Sequence, residues 1–165
     1  MTFNEHYLQD MTKSFRSYKK LCEKGIEQLA PEQLFFTPNA DTNSIAIIIQ
    51  HMAGNMFSRW TDFLTTDGEK EWRQRDAEFE TGKTNKDDLM KLWEDGWACL
   101  FNALEQLSPD QLLDTVYIRK EAHTVMQAIN RQVAHYSYHI GQIVFIAKML
   151  KQEDWNSLSI PKKKI

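Results

Sequence analysis

Apolar residues recur at three- and four-residue spacing along most of this chain, the period of α-helices that bury one face. From Phe3 to Leu29 the stripe runs through Leu8, Met11, Phe15, Tyr18, Cys22 and Leu29, and Thr2 with Glu5 offers a capping box at its start. A second segment, Ser44 to Leu64, carries Ile48, Met52, Met56 and Phe63 on one side, with Asn43 or Ser44 as its cap. The third, Asn85 to Leu107, places Leu89, Trp93, Leu100 and Leu107 together, with Asp87 and Asp88 near the positive end of the helix dipole. The fourth, Thr124 to Leu150, opens on a Thr124–Gln127 capping box and keeps the period through Val133, Ile140, Ile143 and Ala147.

No strand stands out. Val116-Tyr117-Ile118 can pair locally, but a lone strand buries nothing. The expectation is an all-α fold, a four-helix bundle in which residues 1–165 form a single domain. Two hexapeptides echo each other, Leu29-Ala-Pro-Glu-Gln-Leu34 and Leu107-Ser-Pro-Asp-Gln-Leu112, each after a long helix. Their prolines suit the first position of a short helical turn. Helices two and three are separated by Thr65 to Thr84, well beyond the usual connection of about 2–8 residues, so this loop can cross the bundle. Trp72 and Phe79 are expected to pin it, and its charges to line a cavity or face solvent.

Composition narrows the class. The chain has 165 residues, 42% hydrophobic and 26% charged, with a net charge of −3, which gives no electrostatic footprint for nucleic acid. Its longest fully apolar run, Ile45 to Ile49, is far short of the roughly 20 residues a spanning helix needs, so no membrane partner is expected. Residues 1–10 are polar and lack an apolar signal core. Lys162-Lys163-Lys164 reads as a solvated cluster. Two cysteines, Cys22 and Cys99, make no disulfide framework and read as buried, inert thiols in a reduced, cytoplasmic setting.

Histidine carries the chemical signal. His135 and His139 are four apart in the strongest helical pattern, which stacks both imidazoles on one face within reach of one ion. Imidazole suits zinc, nickel, copper and iron. The bland alternative is a pair of interior histidines satisfied by other side chains. Tyr136 occupies the place of the glutamate in His-Glu-x-x-His peptidases, so that class is not supported. His51 shares a face of helix two with Ile47, Ile48, Asn55 and Ser58, apolar before it and polar after it. Three histidines from two helices would leave a coordination position open, as in catalytic zinc sites. His6 and His123 read as surface residues. Around the three, Asn55 and Gln142 are candidates to hold water or substrate. Arg59 or Arg75 could meet an anionic group. Asp76 or Glu78 could serve as base or extra ligand.

The run from Asn43 through His51 and Asn55 to Trp60 resembles the second helix of the DinB/YfiT-like superfamily of metalloenzymes. Ala134-His135-Tyr-Ser-Tyr-His139-Ile-Gly-Gln142-Ile143 resembles its last long helix. The loop Arg73 to Glu80 and the segment Trp155 to Pro161 resemble a branch whose function is unassigned. That resemblance implies an up-down-down-up bundle with a divalent metal, often zinc or nickel, on His51, His135 and His139 and water completing the shell. It implies a homodimer, and it admits thiol S-transferase or isomerase chemistry with a low-molecular-weight thiol on a small-molecule substrate. Three readings stand side by side: a metal-dependent transferase or hydrolase, a non-catalytic metal-binding stress-response module, and a metal-free helical interaction protein.

Overall fold

Each long helix begins where a side chain closes its first turn. In the computed structural model, which describes residues 1–39, 41–80 and 82–161, Thr2 accepts from the Glu5 amide and Glu5 from the Thr2 amide at the head of α1 (Phe3–Ile26). Ser44 caps α2 (Ile45–Trp60), Asn85 caps α3 (Lys86–Glu105), and Thr124 with Gln127 caps α4 (Val125–Lys151). The lysine cluster at 162–164 lies outside the described residues.

The echoed hexapeptides fold alike. Pro31–Phe35 and Pro109–Leu113 each form a 3-10 turn. Gln33 accepts from the Ala30 amide at 2.9 Å and Gln111 from the Ser108 amide at 2.8 Å. Leu34 and Leu112 are buried beneath them.

α1 packs on α4 and α2 on α3, with further contacts of α2 to α4 and α1 to α3. One aromatic residue from each helix meets at the centre: Phe15, Trp60, Trp97 and Tyr136. Phe15 stands 6.2 Å from Trp60 and 5.8 Å from Tyr136, ring centre to ring centre, the edge-on or tilted spacing aromatic rings favour. The Trp60 indole donates to the Tyr136 hydroxyl at 3.2 Å, and that hydroxyl donates to Asn55 Oδ1 at 2.9 Å. α2 and α3 approach closely at Gly96, where a Cβ would stand 3.1 Å from the Ala53 Cα.

Three features depart from the sequence expectation. First, α2 is buried almost all round rather than on one side, because α3, α4 and the crossover cover it. It also ends at Trp60, four residues before Leu64: Thr61 is extended and Asp62 takes a positive φ of 48°. Second, the fold is mostly helical but not purely so. β1 (Thr115–Ile118) and β2 (Glu121–Thr124) form an antiparallel hairpin. Its turn residues Arg119 and Lys120 both have positive φ, 55° and 66°, a conformation costly for side-chain-bearing residues. The Asp67 carboxylate, on the crossover, accepts from both of their amides at 2.9 and 2.7 Å. Third, Trp72 does not pin the crossover: it is 60% exposed. Gln50 does that work, donating to the Glu78 and Glu80 carbonyls and accepting from the Lys83 amide at 2.6 Å. No described helix is long and apolar enough to cross a membrane.

Candidate metal centre

His51 on α2 and His135 and His139 on α4 come together. One nitrogen from each ring lies within 4.8 Å of the other two, and the group could hold a metal ion. His51 is 6% exposed, His139 9%, and His135 is half-buried. The Nε2 atoms of His51 and His135 are 3.4 Å apart, and those of His135 and His139 are 3.2 Å apart. Two nitrogens bound at about 2.0–2.1 Å to a tetrahedral zinc stand about 3.3–3.4 Å apart, close to both of these distances.

The opposite nitrogen of each ring is spoken for. His51 Nδ1 donates to Glu78 Oε2 at 2.9 Å. A carboxylate only accepts, so the proton sits on Nδ1 and the Nε2 lone pair faces inward. His139 Nδ1 lies 2.8 Å from Gln142 Oε1, and His135 Nδ1 lies 3.4 Å from Gln132 Oε1. Those amide oxygens favour the same tautomer. Metal-bound histidines commonly carry this outer hydrogen bond. Burial, with the neighbouring rings adding to it, lowers the pKa of His135 to about 3. Burial also lowers His139 to about 4, against the Gln142 contact. Both rings are therefore neutral near pH 7, the form that ligates.

Glu78 arrives on the 3-10 turn Asp76–Phe79 in the crossover. Burial of its carboxyl opposes ionisation, but hydrogen bonds from His51 and Arg73 outweigh it and hold the pKa below the ordinary value. The Arg73 side chain is 2% exposed; Nε donates to Glu78 Oε1 at 2.8 Å and Nη2 to Oε2 at 2.9 Å. Phe79 stacks over His51 with centres 4.8 Å apart. A glycine makes room here: a Cβ on Gly54 would stand 2.6 Å from the Glu78 Cδ.

The other sequence candidates divide. Gln142 contacts the His139 ring, and Asn55 bonds Tyr136 while lining the cavity beside His51 and His135. Arg59 and Arg75 line that same cavity, of about 350 Å³. Asp76 is fully exposed and paired with Arg75. His6 is exposed, whereas His123 is half-buried, with its Nε2 buried and without a partner among the described residues. Burial pushes the thiol pKa of Cys22 and Cys99 up; Cys22 is fully buried and Cys99 half-buried, so neither is an activated nucleophile. Sequence reasoning did not single out Arg73 or Arg131 for a role, whereas Gln132 falls with Gln142 on the polar part of the His135–His139 stripe. Only the position of Gln132, three residues before His135, carried a signal.

Fold and site together define a mostly helical protein with a largely buried three-histidine cluster, each ring oriented from behind. The chain belongs to the family described as Protein of unknown function (DUF1572), which matches residues 2–164. No curated protein matches the chain. No solved structure matches it either.

Proposed function

We propose that this chain is a divalent-metal-dependent enzyme of the DinB/YfiT-like kind, an up-down-down-up four-helix bundle with His51, His135 and His139 as its ligands. The observation that carries the reading is the set of three outer hydrogen bonds, which leave one inward nitrogen on each ring, all within 4.8 Å of one another. Neutral rings that merely fill a core have no need of a buried Arg73–Glu78 pair to fix one of them. A divalent cation bound there lowers the pKa of a water or thiol and presents it as a nucleophile at neutral pH. The chain's own residues orient the ligands through Glu78, Gln132 and Gln142, and shape the adjoining cavity.

Thiol transfer fits better than hydrolysis. Among the described residues no carboxylate lines the cavity, and both oxygens of Glu78 are engaged by His51 and Arg73. The site thus offers no free carboxylate base to take a proton from water, and a thiol loses its own proton more readily. A homodimer belongs to the same proposal, with Phe145 and Met149 of α4 as exposed apolar side chains for an interface. The test is elemental analysis of protein purified without an affinity tag, followed by cobalt substitution and addition of low-molecular-weight thiols. One equivalent of metal and a thiol-induced change in the cobalt spectrum are expected. Absence of stoichiometric metal sinks the reading; metal without a spectral change or turnover leaves a binding module.

A further inference from the structure

The cavity beside the histidines has a one-sided charge. Among the described residues five arginines line it, Arg59, Arg73, Arg75, Arg119 and Arg131, and no carboxylate does. Three of the five are answered from outside its wall. Arg73 pairs with Glu78 and Glu69, Arg119 with Glu69, and Arg75 with Asp76. Arg59 and Arg131 have no carboxylate within 4.0 Å among the described residues.

Arg59 is the unusual one. It sits in the last turn of α2, only 3% exposed, and its Nε and Nη1 are buried with no hydrogen-bond partner among the described residues. A buried guanidinium with no carboxylate in contact is costly and is normally paired; Glu69 and Asp67 act on Arg59 only at longer range. Its place is nonetheless built. The crossover passes it at Gly68, where a Cβ would stand 2.5 Å from Nη1 and 3.1 Å from Cδ. Gly68 is itself held, its amide donating to the Tyr117 carbonyl at 2.8 Å and its carbonyl accepting from Ser58 Oγ at 2.9 Å. Arg131 stands one turn before His135 on α4, so the second arginine that no carboxylate contacts lies on the histidine side of the same cavity. Low-dielectric walls of one charge sign focus the field and concentrate the opposite ion.

We propose that this cavity binds an oxyanion, a carboxylate or phosphate carried by the small-molecule substrate, through Arg59 and Arg131, the two arginines that no carboxylate contacts. The inference deepens the metalloenzyme reading by naming a charged group of its substrate. About 350 Å³ suits a small metabolite rather than a polymer chain. The anion would lie beside His51 and His135, which line the same space, so it would anchor the substrate next to the reacting centre.

The probes are inorganic phosphate, succinate and the neutral succinamide, titrated calorimetrically at low ionic strength into tag-free protein, with metal content measured on every sample. Phosphate or succinate should bind and succinamide should not; the tighter of the two anions identifies which oxyanion the site prefers. Arg59→Gln, Arg131→Gln and Gly68→Ala should each weaken that binding tenfold or more while metal content stays unchanged. Lys91→Gln, on the far-exposed ion pair of α3, should leave it as it is. Arg131 is exposed, so its variant tests the idea even if Arg59→Gln fails to fold. No anion binding by the wild type, or equal binding by all variants (an adventitious ion only), overturns the inference. Arginine-dependent anion binding in a protein that takes up no metal keeps the oxyanion site and removes the metalloenzyme reading. Metal uptake with arginine-independent anion binding does the reverse.

Discussion

Replacing Glu78 by Gln removes one negative charge from the chain Arg73–Glu78–His51 while keeping its shape. In the wild type the carboxylate accepts from His51 Nδ1 at 2.9 Å and from two Arg73 nitrogens at 2.8 and 2.9 Å. The amide keeps one oxygen acceptor and turns the other position into a donor that faces a donor. His51 then keeps at best a neutral acceptor and loses the carboxylate charge that raises its basicity. Losing such an outer contact typically lowers metal affinity about 10- to 100-fold, or about 1.4–2.7 kcal/mol. Stability falls too. Removing one partner of a buried pair costs about 3–5 kcal/mol when the other charge is stranded. Arg73 keeps Glu69 at 3.2 Å, so the loss should be smaller than that. Gly54→Ala is an independent route to the same end, because its methyl would displace the Glu78 carboxyl. The assay is competition for zinc against a chromogenic chelator, using tag-free protein at neutral pH, with urea unfolding run in parallel. Zinc affinity of Glu78→Gln within twofold of wild type, while His51→Ala abolishes binding, would refute the claim that Glu78 orients the ligand.

Three further outcomes are expected. His135→Ala or His139→Ala should abolish metal binding, and His6→Ala and His123→Ala should preserve it; elemental analysis decides, and metal loss in the second pair would misplace the site. The metal-free protein should weaken in mild acid. Folded His135 and His139 have pKa values of about 3 and about 4 against 6.5 for the free side chain, so as pH drops from 6.5 the unfolded chain takes up protons that the folded rings refuse. The contribution is fully present above pH 6.5 and lost as pH falls towards the folded values, with a limiting slope of about 1.4 kcal/mol per pH unit for each ring. A His135→Gln/His139→Gln double variant should flatten the urea-derived stability between pH 6.5 and 5, and an unchanged slope would contradict this. Tyr136→Phe strands the buried Trp60 indole donor and the Asn55 acceptor, and should cost about 1–3 kcal/mol in urea unfolding.

Helix starts were legible because caps are local. Ser44, Asn85 and the Thr124–Gln127 box lie within three residues of the amides they satisfy, and each helix begins where those residues place it. The end of α2 was not legible. Phe63 continues the apolar period and is buried, yet the backbone has already turned at Asp62, so periodicity of burial outlasts the helix. The hairpin was hidden for a different reason. Arg119-Lys120 is a poor sequence for two positive-φ positions, and what holds it is Asp67, more than fifty residues earlier in the chain.

The sequence by itself determined what depends on neighbours along the chain: where the helices start, which stripe α1, α3 and α4 bury, and that His135 and His139 share a face. Side-chain spacing on a helix is a property of the backbone period, so a single strand of letters carries it. Only the tertiary structure decided what depends on distant residues meeting. It set His51 within 3.4 Å of His135, turned Glu78 from one loop carboxylate among several into the group that orients His51, and left two buried Arg59 nitrogens without a partner among the described residues. Those outcomes follow from how the crossover lies over α2, and electrostatic partners brought together by that packing have no fixed separation in sequence.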